Sequence, residues 1–235
     1  MELSEKVALP NMQGSEMKQE KILSREELHN NGLIHPAMEE VDVVHAFRNL
    51  RTSLLNKMDQ YNSTLMVTAI TPEGGASFVA TNLAAAFTFD HQKTAMLIDC
   101  NFQDSSLADK FDLEIQYGLK DFITGKVNDI SQIVYFMGIE RLRLIPSGNQ
   151  ESDLVEFFTG ERMYSFLSEV RSRYSNRIII IDAPPILDSA DTKILAELAD
   201  YVLLVVPYKG VTANLINRTL NSIDRTKIVG MILNK

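Results

Sequence analysis

The stretch Ile70-Thr71-Pro72-Glu73-Gly74-Gly75-Ala76-Ser77-Phe78-Val79-Ala80-Thr81-Asn82-Leu83-Ala84 decides the fold. The run ahead of it, Leu65–Ile70, reads as a short buried strand. The run that follows, Ser77–Phe89, reads as a helix with small residues (Ala80, Ala84, Ala85) on one face. Strand, glycine turn and helix form the setting of a phosphate-binding loop, where backbone N–H groups and a helix N-terminus receive an anion. Such a loop ordinarily carries a lysine just before its serine. Here that position is Ala76, so the sequence has the frame of a nucleotide site without its main phosphate-binding side chain.

Outward from this stretch the pattern alternates strand and helix. Strands are expected at Leu65–Ile70, Thr94–Asp99, Leu142–Pro146, Arg177–Asp182, Tyr201–Pro207 and Ile228–Leu233. Helices are expected at Ser77–Phe89, Gly118–Thr124, Ile130–Phe136, Asp153–Phe157, Met163–Ser172, Ala190–Ala199 and Thr212–Arg225. Runs such as Ile178–Ile181 and Val202–Val206 are apolar on both faces, as strands of a parallel sheet covered on each side must be. The expected fold is therefore a doubly wound α/β domain with a mainly parallel sheet, like a P-loop NTPase. Residues 1–36 are polar and unpatterned and read as a flexible N-terminal arm, with a short helix at Ser24–His29. The domain is expected over 37–235, beginning with a helix at Val41–Leu55 whose stripe is Val44, Phe47, Leu50 and Leu54.

Bulk properties narrow the function classes. The chain has 235 residues, 45% hydrophobic and 23% charged, which suits one α/β domain and an appendage. A net charge of -8 argues against nucleic acid as a main partner. The one cysteine, Cys100, excludes an internal disulfide and reads as a small buried residue. The four histidines share no metal-ligand spacing. No apolar run is long enough to span a bilayer, and Glu2 and Glu5 stand where a signal peptide would carry positive charge. The expected location is cytoplasmic, with any contact to the inner membrane made through a partner.

Three strand ends should converge in such a sheet, and ligands of open parallel sheets bind there. They are the loop Thr71–Ser77, the end of Met96-Leu97-Ile98-Asp99, and the end of Ile179-Ile180-Ile181-Asp182. An aspartate after one apolar strand can be a simple cap; two beside a glycine turn suit magnesium–nucleotide chemistry. Gly74, Gly75, Ala76, Ser77 and Phe78 are the candidate phosphate contacts. Ser77 and Asp182 are the candidate magnesium ligands, and Asp99 and Asp182 are the candidate catalytic carboxylates.

These residues also carry a family resemblance. From Val44 to Lys235 the chain resembles the bacterial tyrosine kinases of exopolysaccharide and capsule export, a branch of the MinD/ParA-type P-loop ATPases. His45-Ala46-Phe47-Arg48-Asn49-Leu50-Arg51 resembles the family's E-A-F/Y-R-x-L-R helix, and Thr71–Ala84 its P-G-E-G-K-S-T-x-x-x-N-L-A loop. Leu97–Gln103 with Ser106-Leu107 resembles I-D-x-D-x-R-x-P-S-L. Leu144–Gly148 resembles L-P-x-G, Ile181–Pro185 with Asp191 resembles I-D-x-P-P and its following D, and Gly230–Asn234 resembles the last strand. The resemblance implies ATP or ADP with magnesium as cofactor, with Asn234 near the base. It implies an inner-membrane polysaccharide co-polymerase or export protein as partner. It also implies a homo-oligomer formed through the helix that bears Arg48 and Arg51.

The departures shape the expected function. Ala76 replaces the loop lysine, Glu73-Gly74 inverts the usual order, and Phe78 replaces a small threonine. Asn101 replaces the second aspartate, Gln103 the arginine and His45 the glutamate. Tyr208 is the last tyrosine, so the tyrosine cluster on which the family autophosphorylates is not expected. A charged hydrogen bond contributes roughly 1.5–3 kcal/mol, so loss of the lysine weakens nucleotide binding by about 10- to 100-fold. Removing a preorganised charge from a transition state costs roughly 2.7–4 kcal/mol. The leading expectation is thus a degenerate kinase-like protein with a regulatory or assembly role, its nucleotide binding weak or lost. The alternatives are an active autokinase with a noncanonical loop and a partitioning-type ATPase switch.

Overall fold

The computed structural model describes residues 22–235 apart from 39, 59–61, 103–106, 149–157, 159, 174–175 and 189. In chain order the helices are α1 (Arg25–Asn30), α2 (Val41–Leu55), α3 (Ala76–Phe87), α4 (Leu107–Lys110), α5 (Leu119–Ile123), α6 (Glu161–Ser172), α7 (Ala190–Leu198) and α8 (Ala213–Asn221). The strands are β1 (Thr64–Ala69), β2 (Thr94–Asp99), β3 (Tyr135–Phe136), β4 (Leu142–Ile145), β5 (Arg177–Asp182), β6 (Tyr201–Pro207) and β7 (Ile228–Asn234). They form one sheet in the order β3-β4-β2-β5-β1-β6-β7, parallel except where β3 meets β4.

Side chains alternate across this sheet, because successive residues of a strand face opposite ways. Leu65, Val67 and Ala69 of β1, Leu97 of β2, and Ile178 and Ile180 of β5 join one core layer with α2 and α3. Met66, Met96, Ile98, Ile179 and Ile181 face the other layer, under α5, α6 and α7. The doubly wound arrangement expected from the apolar strands is the one observed. β5 carries four consecutive isoleucines with at most 1% exposure, as befits the middle of a sheet covered on both sides.

Helix α3 is enclosed all round rather than on one face. Every residue from Val79 to Phe87 is buried. Its small residues let it lie close to the sheet, and α2 covers its outer side through Val44, Phe47 and Leu54. The segment just before α2 completes the cover. Leu33 and Ile34 are 0% and 2% exposed, although they lie in the stretch expected to be a flexible arm. Asn82 holds them there. Its Oδ1 accepts from the Ile34 N–H at 2.8 Å, and its Nδ2 lies 3.0 Å from the carbonyls of Gly32 and Phe78. Upstream, α1 begins with a reciprocal cap between Ser24 and Glu27, and the Leu23 N–H donates to the Gly138 carbonyl. The described part of the arm is therefore packed on the domain; residues 1–21 lie outside the described residues.

Two helical expectations are corrected. Ile130–Phe136 is a 3-10 turn over Ile130–Ile133, opened by Asp129 accepting from the Ser131 N–H, and then β3 pairing with β4. α8 stops at Asn221, and Arg225–Lys227 forms a separate turn capped by Asp224. The expected helix at Asp153–Phe157 lies outside the described residues.

Replacing Asn82 by alanine leaves the Ile34 N–H buried without its acceptor and releases the Gly32 carbonyl. The expected loss is about 1–3 kcal/mol of stability. It should be read as a lower urea midpoint, together with faster proteolysis around residues 30–36.

Candidate nucleotide site

The loop between β1 and α3 is shaped by two glycines with different reasons. Gly75 has φ of +82°, a left-handed conformation that L side chains rarely adopt, and its carbonyl accepts the Val79 N–H at 3.0 Å to start α3. A Cβ there would run into the side-chain amide of Asn234. Gly74 is excluded from bearing a side chain by crowding, since its Cβ would lie 2.6 Å from that of Ala69. Asn234 closes the loop from β7, its Nδ2 donating to the Gly74 carbonyl at 3.1 Å. The structure thus sets Asn234 on the loop backbone itself.

Ala76 and Ser77 are the first two residues of α3 and are half-buried, so the Ser77 hydroxyl stands at the helix N-terminus. Phe78 points outward, 39% exposed, with its ring edge-on to Phe47 of α2 at 6.0 Å between centroids. That edge contact ties the loop helix to α2.

Sheet order brings the two carboxylates beside this loop. β5 lies between β1 and β2, and Asp99 is in register with Asp182. Both are 1% exposed. Asp99 Oδ1 accepts the Asn101 N–H at 3.0 Å, so the residue in place of a second aspartate serves the first through its backbone. Beyond Asp182 the ladder continues: the Ala183 N–H donates to the Val67 carbonyl, the Ile186 N–H to the Ala69 carbonyl, and the Cys100 N–H to the Asp182 carbonyl. Thr68 Oγ1 donates to the Pro184 carbonyl at 2.6 Å. These bonds fix the Asp182–Pro185 turn. Asp191 lies in the first turn of α7, where burial pushes its carboxyl above the usual range. Gln103 and Ser106 of the expected second motif lie outside the described residues.

The residues fit a magnesium–nucleotide. Among the described residues no group of three or more His, Cys, Asp or Glu gathers as a self-sufficient metal cage. Magnesium is usually held by one or two carboxylates and by phosphate oxygens, which matches a hydroxyl and a paired-strand carboxylate at the mouth of an anion-accepting loop. Ser77 and Asp182 would hold it.

One charged residue of the site was not singled out in the sequence. Lys120 is on α5, 6% exposed, with its Nζ 5.1 Å from the centroid of the Phe102 ring. Burial pushes its ammonium below the usual range, while Asp99 and Asp121 pull it upward. The Leu144–Gly148 motif explains how α5 reaches this place. The Leu119 and Lys120 N–H groups donate to the carbonyls of Pro146 and Ser147, and Gly118 meets Gly148 so closely that a Cβ on Gly118 would strike the Gly148 backbone. A lysine among Leu119, Phe122 and Ile123 was the available signal.

The arginines expected at an oligomer contact separate. Arg51 Nη1 donates to the Ala86 carbonyl at 2.9 Å, inside its own chain, and Arg48 is exposed. No helix among the described residues is long and apolar enough to cross a membrane.

Strand order, glycine loop and carboxylate pair define a P-loop NTPase-type domain. The AAA-domain family model matches residues 69–230. The tyrosine-protein kinase wzc of Salmonella typhimurium is 32% identical over 194 residues, covering 81% of this chain and 26% of that protein. The putative tyrosine-protein kinase EpsB of Ralstonia solanacearum is 32% identical over 186 residues, covering 79% and 24%. The kinase domain of the Escherichia coli tyrosine kinase ETK superposes with a TM-score of 0.73 at 28% identity, covering 81% of this chain and 74% of that one. The chain belongs to the AAA-domain family and, within it, to the bacterial tyrosine kinases of exopolysaccharide and capsule synthesis, of the MinD/ParA type. It spans about a quarter of the length of these curated relatives.

Gly75→Ala should destabilise the chain by about 2 kcal/mol, from the left-handed backbone and the displaced Asn234, and adding Asn234→Ala should recover part of that loss in urea unfolding. Cys100 is fully buried, and burial followed by the fields of Asp99 and Asp182 pushes its thiol well above the usual range. It should resist alkylation in the native protein and react on unfolding, which a thiol-labelling time course reads directly.

Proposed function

We propose that this protein is a polysaccharide tyrosine-kinase-like protein whose phosphate loop has lost its lysine. It acts as a regulatory or assembly partner of a membrane polysaccharide co-polymerase or export protein. The observation that carries this reading is Ala76 at the N-terminus of α3, inside a loop whose other features persist. These are the left-handed Gly75, Ser77 in the first turn, and Asp99 in register with Asp182. A magnesium-bound nucleotide would supply the phosphoryl group for transfer. The residues themselves bind through backbone N–H groups, orient through Ser77 and Asp182, and accept a hydroxyl proton at a carboxylate such as Asp99. Without the loop lysine the charge developing on the terminal phosphate lacks its usual stabiliser, and transfer slows by orders of magnitude.

The family resemblance supports the membrane partner and the cytoplasmic location. The oligomer contact rests on the exposed face of α2 around Arg48, since Arg51 is engaged internally. Packing of Leu33 and Ile34 on α3 supports counting residues from about 22 onward with the domain.

Calorimetric titration of Mg-ATP and Mg-ADP decides between a dormant and a rebuilt loop. The expected result is little or no heat with the parent chain and binding strengthened about 10- to 100-fold by Ala76→Lys. Micromolar binding by the parent, lost in Asp182→Ala, would instead support the active autokinase.

A further inference from the structure

The two edges of the sheet are finished differently. β3, at one end, is two residues long, and Arg143 of β4 lies over the Phe136 ring at 4.8 Å. β7, at the other, runs for seven residues with no charged side chain and no proline to discourage pairing. Its register with β6 skips Val229, and Lys57 Nζ donates to the Val229 carbonyl at 2.7 Å, so that carbonyl is covered. From Gly230 to Asn234 no strand lies beside the outer backbone groups among the described residues. Met231 and Leu233, two apart and so on one face, are 49% and 59% exposed. Beyond them Tyr208 is also exposed; its N–H donates to the Asn234 carbonyl, and Lys235 Nζ stands 5.2 Å from its ring centroid. The charge of this edge opposes that of the chain. Residues 208–235 hold Lys209, Arg218, Arg225, Lys227 and Lys235 against one carboxylate, Asp224, in a chain of net charge -8. Val229, where Lys57 sits, and Lys235 are about 20 Å apart at the rise of an extended strand.

We propose that the β7 edge from Gly230 to Lys235 is a docking site for an extended segment of a partner protein, one with apolar side chains at alternate positions and a carboxylate at each end. Backbone hydrogen bonds extend the sheet by one strand, the apolar side chains lie on Met231 and Leu233, and the carboxylates meet Lys57 and Lys235. A second copy of this chain is disfavoured as the occupant. Antiparallel self-pairing over the open residues centres on Ile232 and sets Val229 opposite Lys235, which brings Lys57 of one copy to Lys235 of the other. A lipid surface meets the cations but offers no ladder to the backbone. The proposal turns on neither Ala76 nor a nucleotide.

The test is binding of a fluorescein-labelled peptide, Asp-Glu-Val-Thr-Val-Thr-Val-Glu-Asp, to the full chain without nucleotide, read by anisotropy and by amide hydrogen exchange. The expected result is a Kd below about 1 mM, with exchange slowed at Gly230–Asn234. Methylating alternate backbone nitrogens of the peptide should weaken binding at least about 10-fold, because the ladder is then broken. The same core flanked by lysines should bind the parent at least about 10-fold more weakly, and Lys57→Glu with Lys235→Glu should reverse that order. The reversed order also shows the variant to be folded; should it not fold, the methylated peptide makes the same decision on the parent chain. No binding up to about 1 mM, equal binding of the methylated peptide, or slowed exchange elsewhere overturns the proposal. So does protection of β7 that rises with protein concentration alone, which would mark a second copy as the occupant. Sedimentation with phosphatidylglycerol vesicles, lost on charge reversal and without peptide binding, overturns it in favour of a lipid surface.

Discussion

The site depends on one pairing, that of β5 with β1 on one side and β2 on the other. Parallel register fixes where each strand ends, and here it sets Asp182 opposite Asp99 and one strand away from the glycine loop. Strands in a sheet lie about 4.8 Å apart, so the two carboxylates are held as neighbours by backbone hydrogen bonds rather than by any attraction between them. Two unit charges about 5 Å apart repel by roughly 3 kcal/mol at an effective dielectric constant near 20. The isoleucine core of β5, buried on both faces, supplies enough cohesion to hold that arrangement.

What the sequence made legible follows from where its signals are local. β5 is legible to the residue because its run of isoleucines ends at the charged Asp182, and β6 because its apolar run ends at Pro207, which has no N–H to carry a ladder further. α2 was read because its stripe repeats at helical spacing. Ile130–Phe136 was misread because Ile130, Ile133 and Val134 have the same apolar spacing in a 3-10 turn followed by a strand; only pairing with β4 separates the two. Leu33 and Ile34 gave no signal because two apolar residues make no period. Their partner, Asn82, is 48 residues from Ile34 in sequence.

The same contrast applies at the site. Gly74, Gly75, Ser77, Asp99 and Asp182 could be named from motif order, since a strand end is a position that sequence can mark. Lys120 could not, because its place depends on the close approach of Gly118 to Gly148, a contact between two loops. Arg51 illustrates the converse. Three residues from Arg48, it shares a helix face with it, yet it reaches the Ala86 carbonyl while Arg48 faces solvent. Spacing gives the face of a helix, and the groove beneath decides which residue on that face is free to meet another molecule.

Loss of a loop lysine is usually read as loss of function by subtraction. The arrangement here is more specific than subtraction. Gly75 in a left-handed conformation, with Asn234 closed over the loop, restricts the sequence without filling the core. Two adjacent buried carboxylates likewise cost stability that apolar residues of similar volume would not. Those features persist beside Ala76, so the frame of the loop is held by backbone conformation, by Asn234 and by strand register, and none of these depends on the side chain that stands before Ser77.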